Sequence, residues 1–274
     1  MNPPLPTIIL PVFNAHEALK GCIRSLDRHS ATAEIIVIDD ASTDRRIRPL
    51  LEEWCQAAPR RSLLVNAQNG GFVSTANRGM AAAGGDVVLL NSDTVVTPGW
   101  LDALARCLAS DARIATATPW SNNGEIVSLP EMCVAAPVPR DTDAVARAVA
   151  ASGAPCYPDI PTAVGFCMAI SRRALERVGD FNAAHFGPGY GEENDFSLRA
   201  TAAGLRNVLC DDAYVVHLGG ASFSSLDLKP GPESMSRLRA LHPDYEQLIA
   251  SFIREDPLAA RRRVVVEAIR AVGN

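Results

Sequence analysis

What the sequence lacks narrows the field first. Its seven cysteines are odd in number and no two form a CxxC pair, which excludes a zinc knuckle and a redox dithiol. In a chain of 274 residues they are expected to be reduced, core-filling side chains. No GxGxxG follows the first apolar run, no GxxxxGK(S/T) occurs and no GxSxG elbow is present. Those absences remove a dinucleotide fingerprint, a P-loop and a serine hydrolase. The opening MNPPLPTIIL has neither the basic region nor the apolar run of a secretory leader, and no apolar run nears the ~20 residues of a membrane span. The expectation is a soluble, cytoplasmic protein. A basic excess is also missing: the net charge is −5, against a nucleic-acid-binding face.

Apolar periodicity organises what is present. Residues 8–13 read as a buried strand, and Asn14 with Glu17 three positions later predicts a capped helix start. Strands follow at 34–40 (EIIVIDD), 62–66 (SLLVN) and 87–90 (VVLL), with a small-residue helix from about Thr75 to Gly84 before the last. Thr97-Pro98 predicts another capped helix, 163–170 a strand, Ser171 to Gly179 a helix, 193–203 a helix, and 207–210 and 213–217 two short strands. This alternation predicts an α/β fold with a mostly parallel sheet flanked by helices. The region 119–162 is irregular, with one helix at 141–152, and reads as an insert beside the site where an acceptor binds. Residues 1–222 form the expected domain and 223–274 a C-terminal helical tail.

Ligands of such sheets bind beyond the carboxyl ends of the strands. That edge collects Asn14, Asp39 and Asp40, then 66–71, then Asn91, Ser92 and Asp93. GEENDFSLR at 191–199 adds Glu192, Glu193 and Asp195, and His217 ends the last strand. Carboxylates with one imidazole make an oxygen-rich site suited to Mn²⁺ or Mg²⁺, through which an acidic protein can hold a diphosphate. Each feature also has a plainer reading. Asp39 and Asp40 with Ser42 suit a turn, Glu192 and Glu193 suit a helix N-terminus, and Asn69-Gly70-Gly71 suits a tight turn.

In order along residues 5–222, ILPVFNA, IIVIDDASTD, NGGFVSTANRGMAAAGGDVVLLNSDTVVTPGWL, VGDFNAAHFGPGYGEENDFSLRATAAGL and DDAYVVHLGGAS resemble the family 2 glycosyltransferases of GT-A fold. LLNSDTVVTPGWL resembles bacterial rhamnosyl- and galactofuranosyl-type transferases in particular. The resemblance implies a metal-dependent inverting transfer from a nucleotide-diphosphate-sugar, UDP- or dTDP-linked, to a glycan or lipid-linked acceptor of surface polysaccharide synthesis. It implies that Pro11, Phe13 and Asn14 border the nucleotide, that Asp40 or Asp39 bonds the base, and that Asn69, Gly70, Asn77 and Ser92 line the nucleotide-sugar pocket. Asp93 would be the metal-binding acid and His217 a further ligand. Glu193 would be the general base, Glu192 its neighbour in the catalytic acid pair, and Asp195 would orient the acceptor or the helix. Asn91 stands where the family's usual first acid would be, so that motif brings one carboxylate. Two readings from other classes stay beside it: a nucleotide-sugar-binding protein without transfer activity, and a sugar-phosphate nucleotidyltransferase. AARRRVVVEAIRAV at 259–272 suits packing on its own domain, a homodimer contact, or a peripheral contact with the inner face of the membrane.

Overall fold

The structure, a computed structural model, describes residues 3–187, 189–219 and 232–272. Its elements in order are β1 (Thr7–Val12), α1 (His16–His29), β2 (Ile35–Asp39), α2 (Ile47–Gln56), β3 (Arg61–Val65), α3 (Gly71–Ala82), β4 (Val87–Leu90) and β5 (Thr94–Val95). Next come α4 (Trp100–Ser110), β6 (Ile114–Trp120), a 3-10 turn (Glu125–Val127), α5 (Thr142–Ala151), β7 (Cys167–Ile170), α6 (Arg172–Val178) and α7 (Ala183–Phe186). The last are α8 (Glu192–Ala202), β8 (Arg206–Tyr214), β9 (Val216–His217), α9 (Pro232–Leu241), α10 (Tyr245–Glu255) and α11 (Ala259–Val272). The boundary expected at 222–223 lies outside the described residues.

Seven strands form one sheet in the order β3-β2-β1-β4-β7-β6-β8. Only β7 runs against its neighbours β4 and β6. The mostly parallel sheet expected from the alternation is present, and the order reverses at β1, where β2 lies on one side and β4 on the other. Such a reversal opens a crevice at the carboxyl edge. Both faces are covered: Ile8, Leu10, Val88 and Leu90 pack toward α1 and α4, while Ile9, Ile38, Val87 and Leu89 pack toward α3 and α8. This two-sided burial makes β4 a continuous apolar run rather than an alternating one.

Several local expectations give way to long-range contacts. Asn14 does not cap α1, whose N-cap is Ala15 without a side-chain bond. Its Oδ1 instead accepts the Thr43 and Asp44 N–H groups at 2.9 Å each, joining the loop after β1 to the loop after β2. Thr97 does not cap α4, which starts after Gly99; its hydroxyl donates to the Tyr214 carbonyl. Helix α3 begins at Gly71, earlier than Thr75, because the Asp40 carboxylate receives the Gly70 and Gly71 N–H groups at 2.8 and 3.0 Å. Strand β6 falls partly inside the region expected to be irregular, and the expected strand at 163–170 shrinks to its last four residues. The strand expected at 207–210 and the start of that expected at 213–217 are one, β8, which carries Asp211 and Asp212, while Val216–His217 form β9. Those acids are tolerated because Arg261 reaches Asp211 at 2.6 Å and Arg106 reaches Asp212 at 3.0 Å. Ser171 caps α6 as expected, its Oγ accepting the Ala174 N–H at 3.3 Å. Four cysteines fill the core, but Cys133 and Cys156 are exposed.

The C-terminal helix packs on its own chain. Leu258 and Val265 are buried, Arg261 holds the Ser152 carbonyl as well as Asp211, and Arg262 pairs with Asp256 at 2.6 Å over the Trp120 ring. Two arginines of the basic run are therefore turned inward.

At Gly79 the helix α3 presses directly on the sheet. A Cβ there would lie 2.3 Å from Ile9 Cγ2 and 2.8 Å from Ile38 Cδ1. Gly79→Ala is expected to lose net stability, since overpacking costs about 1–3 kcal/mol and the better helix former returns at most about 1 kcal/mol. Urea unfolding measures this; a midpoint equal to wild type or higher would refute the close contact.

Candidate functional site

Two chain segments are brought together by a two-residue ladder. Strand β5 pairs with β9 antiparallel, Thr94 opposite His217. The Leu218 N–H adds a bond to the Asp93 carbonyl at 2.9 Å, so Asp93 and His217 are held side by side. His217 Nε2 lies 3.5 Å from Asp93 Oδ1. Its Nδ1 lies 2.8 Å from the Asn123 carbonyl, which can only accept, so Nδ1 carries a proton in either charge state. The ring is stacked on Phe166 with centroids 5.4 Å apart. Burial pulls the imidazolium's pKa down, but Asp93, the Asn123 carbonyl and Glu125 outweigh it, leaving a net rise above the ordinary histidine value.

Across from this pair stands the N-terminus of α8. Gly191 takes φ 101°, and a Cβ would come within 2.9 Å of the Phe186 ring, so glycine is needed where the chain turns into the helix. The turn aims Glu192 and Glu193 into one cavity with Asn91, Asp93, Glu125 and His217. The cavity holds about 450 Å³. Glu192 is 5% exposed, and the Oε2 atoms of both Glu192 and Glu193 are buried without a hydrogen-bond partner among the described residues. Burial first, and then the neighbouring Glu193 carboxylate, push Glu192 well above the usual carboxylate range. Burial also raises Glu193, partly offset by backbone N–H groups at the helix start. Among the described residues the lining contains no lysine or arginine.

Other expected site residues sit on the same sheet edge but outside this lining. Asp39 is buried, with its carboxylate taken by the Ser42 N–H at 2.9 Å and Arg48 Nε at 3.0 Å. Asp40 also receives Asn66 Nδ2 at 2.6 Å, and Asn69 donates to the Asp40 carbonyl at 3.3 Å. Gly70 gives its N–H to Asp40, while Pro11 and Phe13 lie half-buried at the end of β1 and after it. Asn77 exchanges two bonds with the Phe181 backbone, at 2.8 and 3.1 Å, and so ties α3 to the segment before α7. Ser92 is buried beneath the edge. Asp195 is clamped between Arg199 Nε and His242 Nε2, both at 2.8 Å, which fastens α8 to the end of α9. It positions the helix and is not part of the lining.

Several lining residues carry no mark of their own in the sequence. Glu125 stands at φ 51° in the 3-10 turn, and Tyr190 at φ 74° ahead of α8. Met235 of α9 and Tyr245, Ile249 and Ile253 of α10 supply an apolar wall from the tail. Phe72 was the one detectable case, directly following the NGG turn.

Comparison with known proteins shows the family and the fold. The pattern described as glycosyl transferase family 2 matches residues 7–179. An uncharacterized glycosyltransferase of Haemophilus influenzae is 35% identical over 98 residues, 35% of this chain and 39% of that protein. The O-antigen biosynthesis protein RfbC of Myxococcus xanthus is 30% identical over 115 residues, 41% of this chain and 9% of that protein. The chain thus spans less than half the length of these curated relatives. Among solved structures, GalNAc-T7 with UDP, GalNAc and Mn²⁺ shares the fold at TM-score 0.65 and 15% identity, over 98% of this chain and 55% of that one. The Pyrobaculum calidifontis mannosyltransferase PcManGT, with GDP-Man and Mn²⁺, does so at TM-score 0.57 and 16% identity, over 98% and 74%. The fold is the α/β architecture of these GT-A transferases.

The buried glutamates make a stability prediction. A carboxylate raised by burial favours the protonated form in the fold, so ionisation destabilises increasingly as pH rises above the unfolded glutamate range. Glu192→Gln keeps the shape without the charge. It is expected to raise the melting midpoint at pH 7–8, by about 2–4 °C per kcal/mol relieved, with the gain fading below about pH 4. A midpoint below wild type at pH 8 would contradict the burial of charge at this position.

Proposed function

The chain belongs to glycosyl transferase family 2, and we propose that it transfers a sugar, with inversion, from a nucleotide-diphosphate-sugar to a hydroxyl of a glycan or lipid-linked acceptor. One observation carries the reading: the Asp93–His217 pair and the Glu192–Glu193 pair face a single cavity at the carboxyl edge of the sheet. The resemblance of LLNSDTVVTPGWL to rhamnosyl- and galactofuranosyl-type transferases supports a dTDP- or UDP-linked donor. The name of the Myxococcus relative supports a role in surface polysaccharide synthesis. No described helix is long and apolar enough to cross a membrane, and we place the protein in the cytoplasm, with its substrates at the inner membrane face.

The donor set fits a hard divalent cation, Mn²⁺ or Mg²⁺. One carboxylate oxygen and one imidazole nitrogen lie 3.5 Å apart, close to the roughly 3 Å expected of adjacent ligands on an octahedral ion. The Nδ1–H bond to Asn123 turns the Nε2 lone pair of the neutral ring toward that position. Among the described residues no three His, Cys, Asp or Glu side chains are placed to hold an ion by themselves, and the substrate diphosphate and water would complete the coordination. A cation held there supplies charge neutralisation to the departing diphosphate.

The chain's own residues do the rest. Asn91, at the end of β4, offers an amide to the ribose or to a bound water. Ser92, Pro11, Phe13, Asn14, Asn69, Gly70 and Asn77 border the nucleotide side, with Asp39 and Asp40 holding the loops that receive the base. Glu193 accepts the proton of the acceptor hydroxyl as the acceptor oxygen bonds the anomeric carbon and the bond to the diphosphate breaks. Its raised pKa makes it a stronger base than a surface glutamate. Burial and then the Glu125 carboxylate maintain that rise, Glu192 stands beside it in the same cavity, and Asp195 keeps α8 in place through Arg199 and His242.

Two outcomes are expected. In a thermal-shift screen of nucleoside diphosphates, Mn²⁺ alone gives little protection and Mn²⁺ with the matching nucleotide gives much more than either alone, by mass action. Strong Mn²⁺ binding to the free protein would contradict a two-residue metal site. Glu193→Gln should lower turnover about 10²–10⁴-fold with nucleotide affinity retained, and wild-type kcat/KM should fall with decreasing pH through a value above the ordinary glutamate pKa. Nucleotide binding with no transfer or donor hydrolysis in the wild type would leave a nucleotide-sugar-binding protein instead.

A further inference from the structure

The cavity has two unlike ends. One end is acidic, with Asp93, Glu192 and Glu193, and Glu125 adds a fourth carboxylate from the 3-10 turn. The other end is an apolar wall. Helix α10 crosses the carboxyl edge of the sheet: Tyr245 packs against the core on the α3 and α8 face, and Phe252 against the core on the α1 and α4 face. Ile249 and Ile253 continue from Tyr245 on one helical stripe, spaced four residues apart, and all three line the cavity. Met235 and Ile126 extend the wall. No residue of α10 is buried, although its sequence, YEQLIASFIRE, is amphipathic. An amphipathic helix ordinarily buries its apolar stripe; this one presents the stripe to an open cavity.

Tyr245 connects the two ends electrostatically. Its phenol is pushed up to about 12, by burial first and then by the Glu193 and Glu125 carboxylates, so the wall adjoins the acids within one space. An anionic acceptor entering here would meet carboxylates and, among the described residues, no lysine or arginine of the lining. We propose that the wall of Met235, Tyr245, Ile249 and Ile253 is an acceptor subsite for an uncharged glycoside with an apolar aglycone. The aglycone lies along α10 and the reacting hydroxyl is directed to Glu193. The proposal rests on the transfer reading above and narrows its acceptor class.

The test measures binding rather than turnover, with a nucleoside diphosphate and Mn²⁺ present. Methyl, butyl and octyl glycosides of each sugar in a panel are titrated by calorimetry, octyl kept below its micelle-forming concentration, beside the octyl glucuronide. Octyl is expected to bind roughly tenfold or more tighter than methyl, with butyl between and the glucuronide weaker than its neutral counterpart. Bound octyl glycoside should slow iodoacetamide labelling of Cys133, which lines the cavity, and leave exposed Cys156, outside the lining, unaffected. Ile249→Ser and Ile253→Ser should each shrink the octyl-to-methyl ratio to within about twofold, with the melting midpoint reporting that the fold is kept. A flat chain-length series, a ratio unchanged in both variants, or tight binding only above micelle formation would overturn the subsite. Protection of Cys133 by self-association without ligand would assign the wall to a second copy and overturn it as well. If nucleotide and Mn²⁺ bind but the series is flat, only this inference fails; if they do not bind, the transfer reading fails and takes this one with it.

Discussion

A ladder of two residues, Thr94 and Val95 against Val216 and His217, determines whether this protein has a site at all. Asp93 lies just before Thr94, and His217 faces Thr94 across the ladder. Neither position is set by its own neighbours in sequence. The ladder works because both strands emerge from a rigid edge: β4 is buried on both faces, and β8 is pinned by Arg106 and Arg261 through its two aspartates. Asn122 tightens the same corner, receiving the His217 N–H at 2.9 Å. Backbone bonds thus fix a carboxylate and an imidazole side by side on the wall of one cavity.

The acids opposite impose a cost that the fold carries. Two neighbouring glutamates are aimed into one cavity, with the helix N-terminus supplying partial positive charge in place of a cationic side chain. Asp195, two residues on, shows the contrasting arrangement, with Arg199 and His242 on its two oxygens. The difference separates a carboxylate that holds structure from carboxylates left available for a proton.

The fold was legible where one signal sufficed. VVLL at 87–90 is apolar on both faces and reads as a buried strand from composition alone, and Ser171 with Gly179 bracket a helix by local chemistry. Asn14 and Thr97 misled because each has the side chain of a cap but spends it on a partner far along the chain. Asp211 and Asp212 split β8 in the reading, since their arginine partners are invisible at short range. Within the site, Asp93 and His217 stood out as polar residues at the ends of apolar runs and Glu192 and Glu193 as part of an acidic stretch, and all four meet in the cavity. Glu125 and the α10 wall did not, because an isolated glutamate and an ordinary amphipathic helix carry no local mark of what they face.

The wall on α10 has a consequence in time. Chains are made from the N-terminus and domains tend to fold in that order. The first acid of the cavity lining exists once residue 93 has been made, and its partner waits for His217. The cavity's far side arrives only with residues 235–253. During synthesis, then, the acids stand in open water before the space that encloses them is built, and a chain halted between those points has its charges but no chamber.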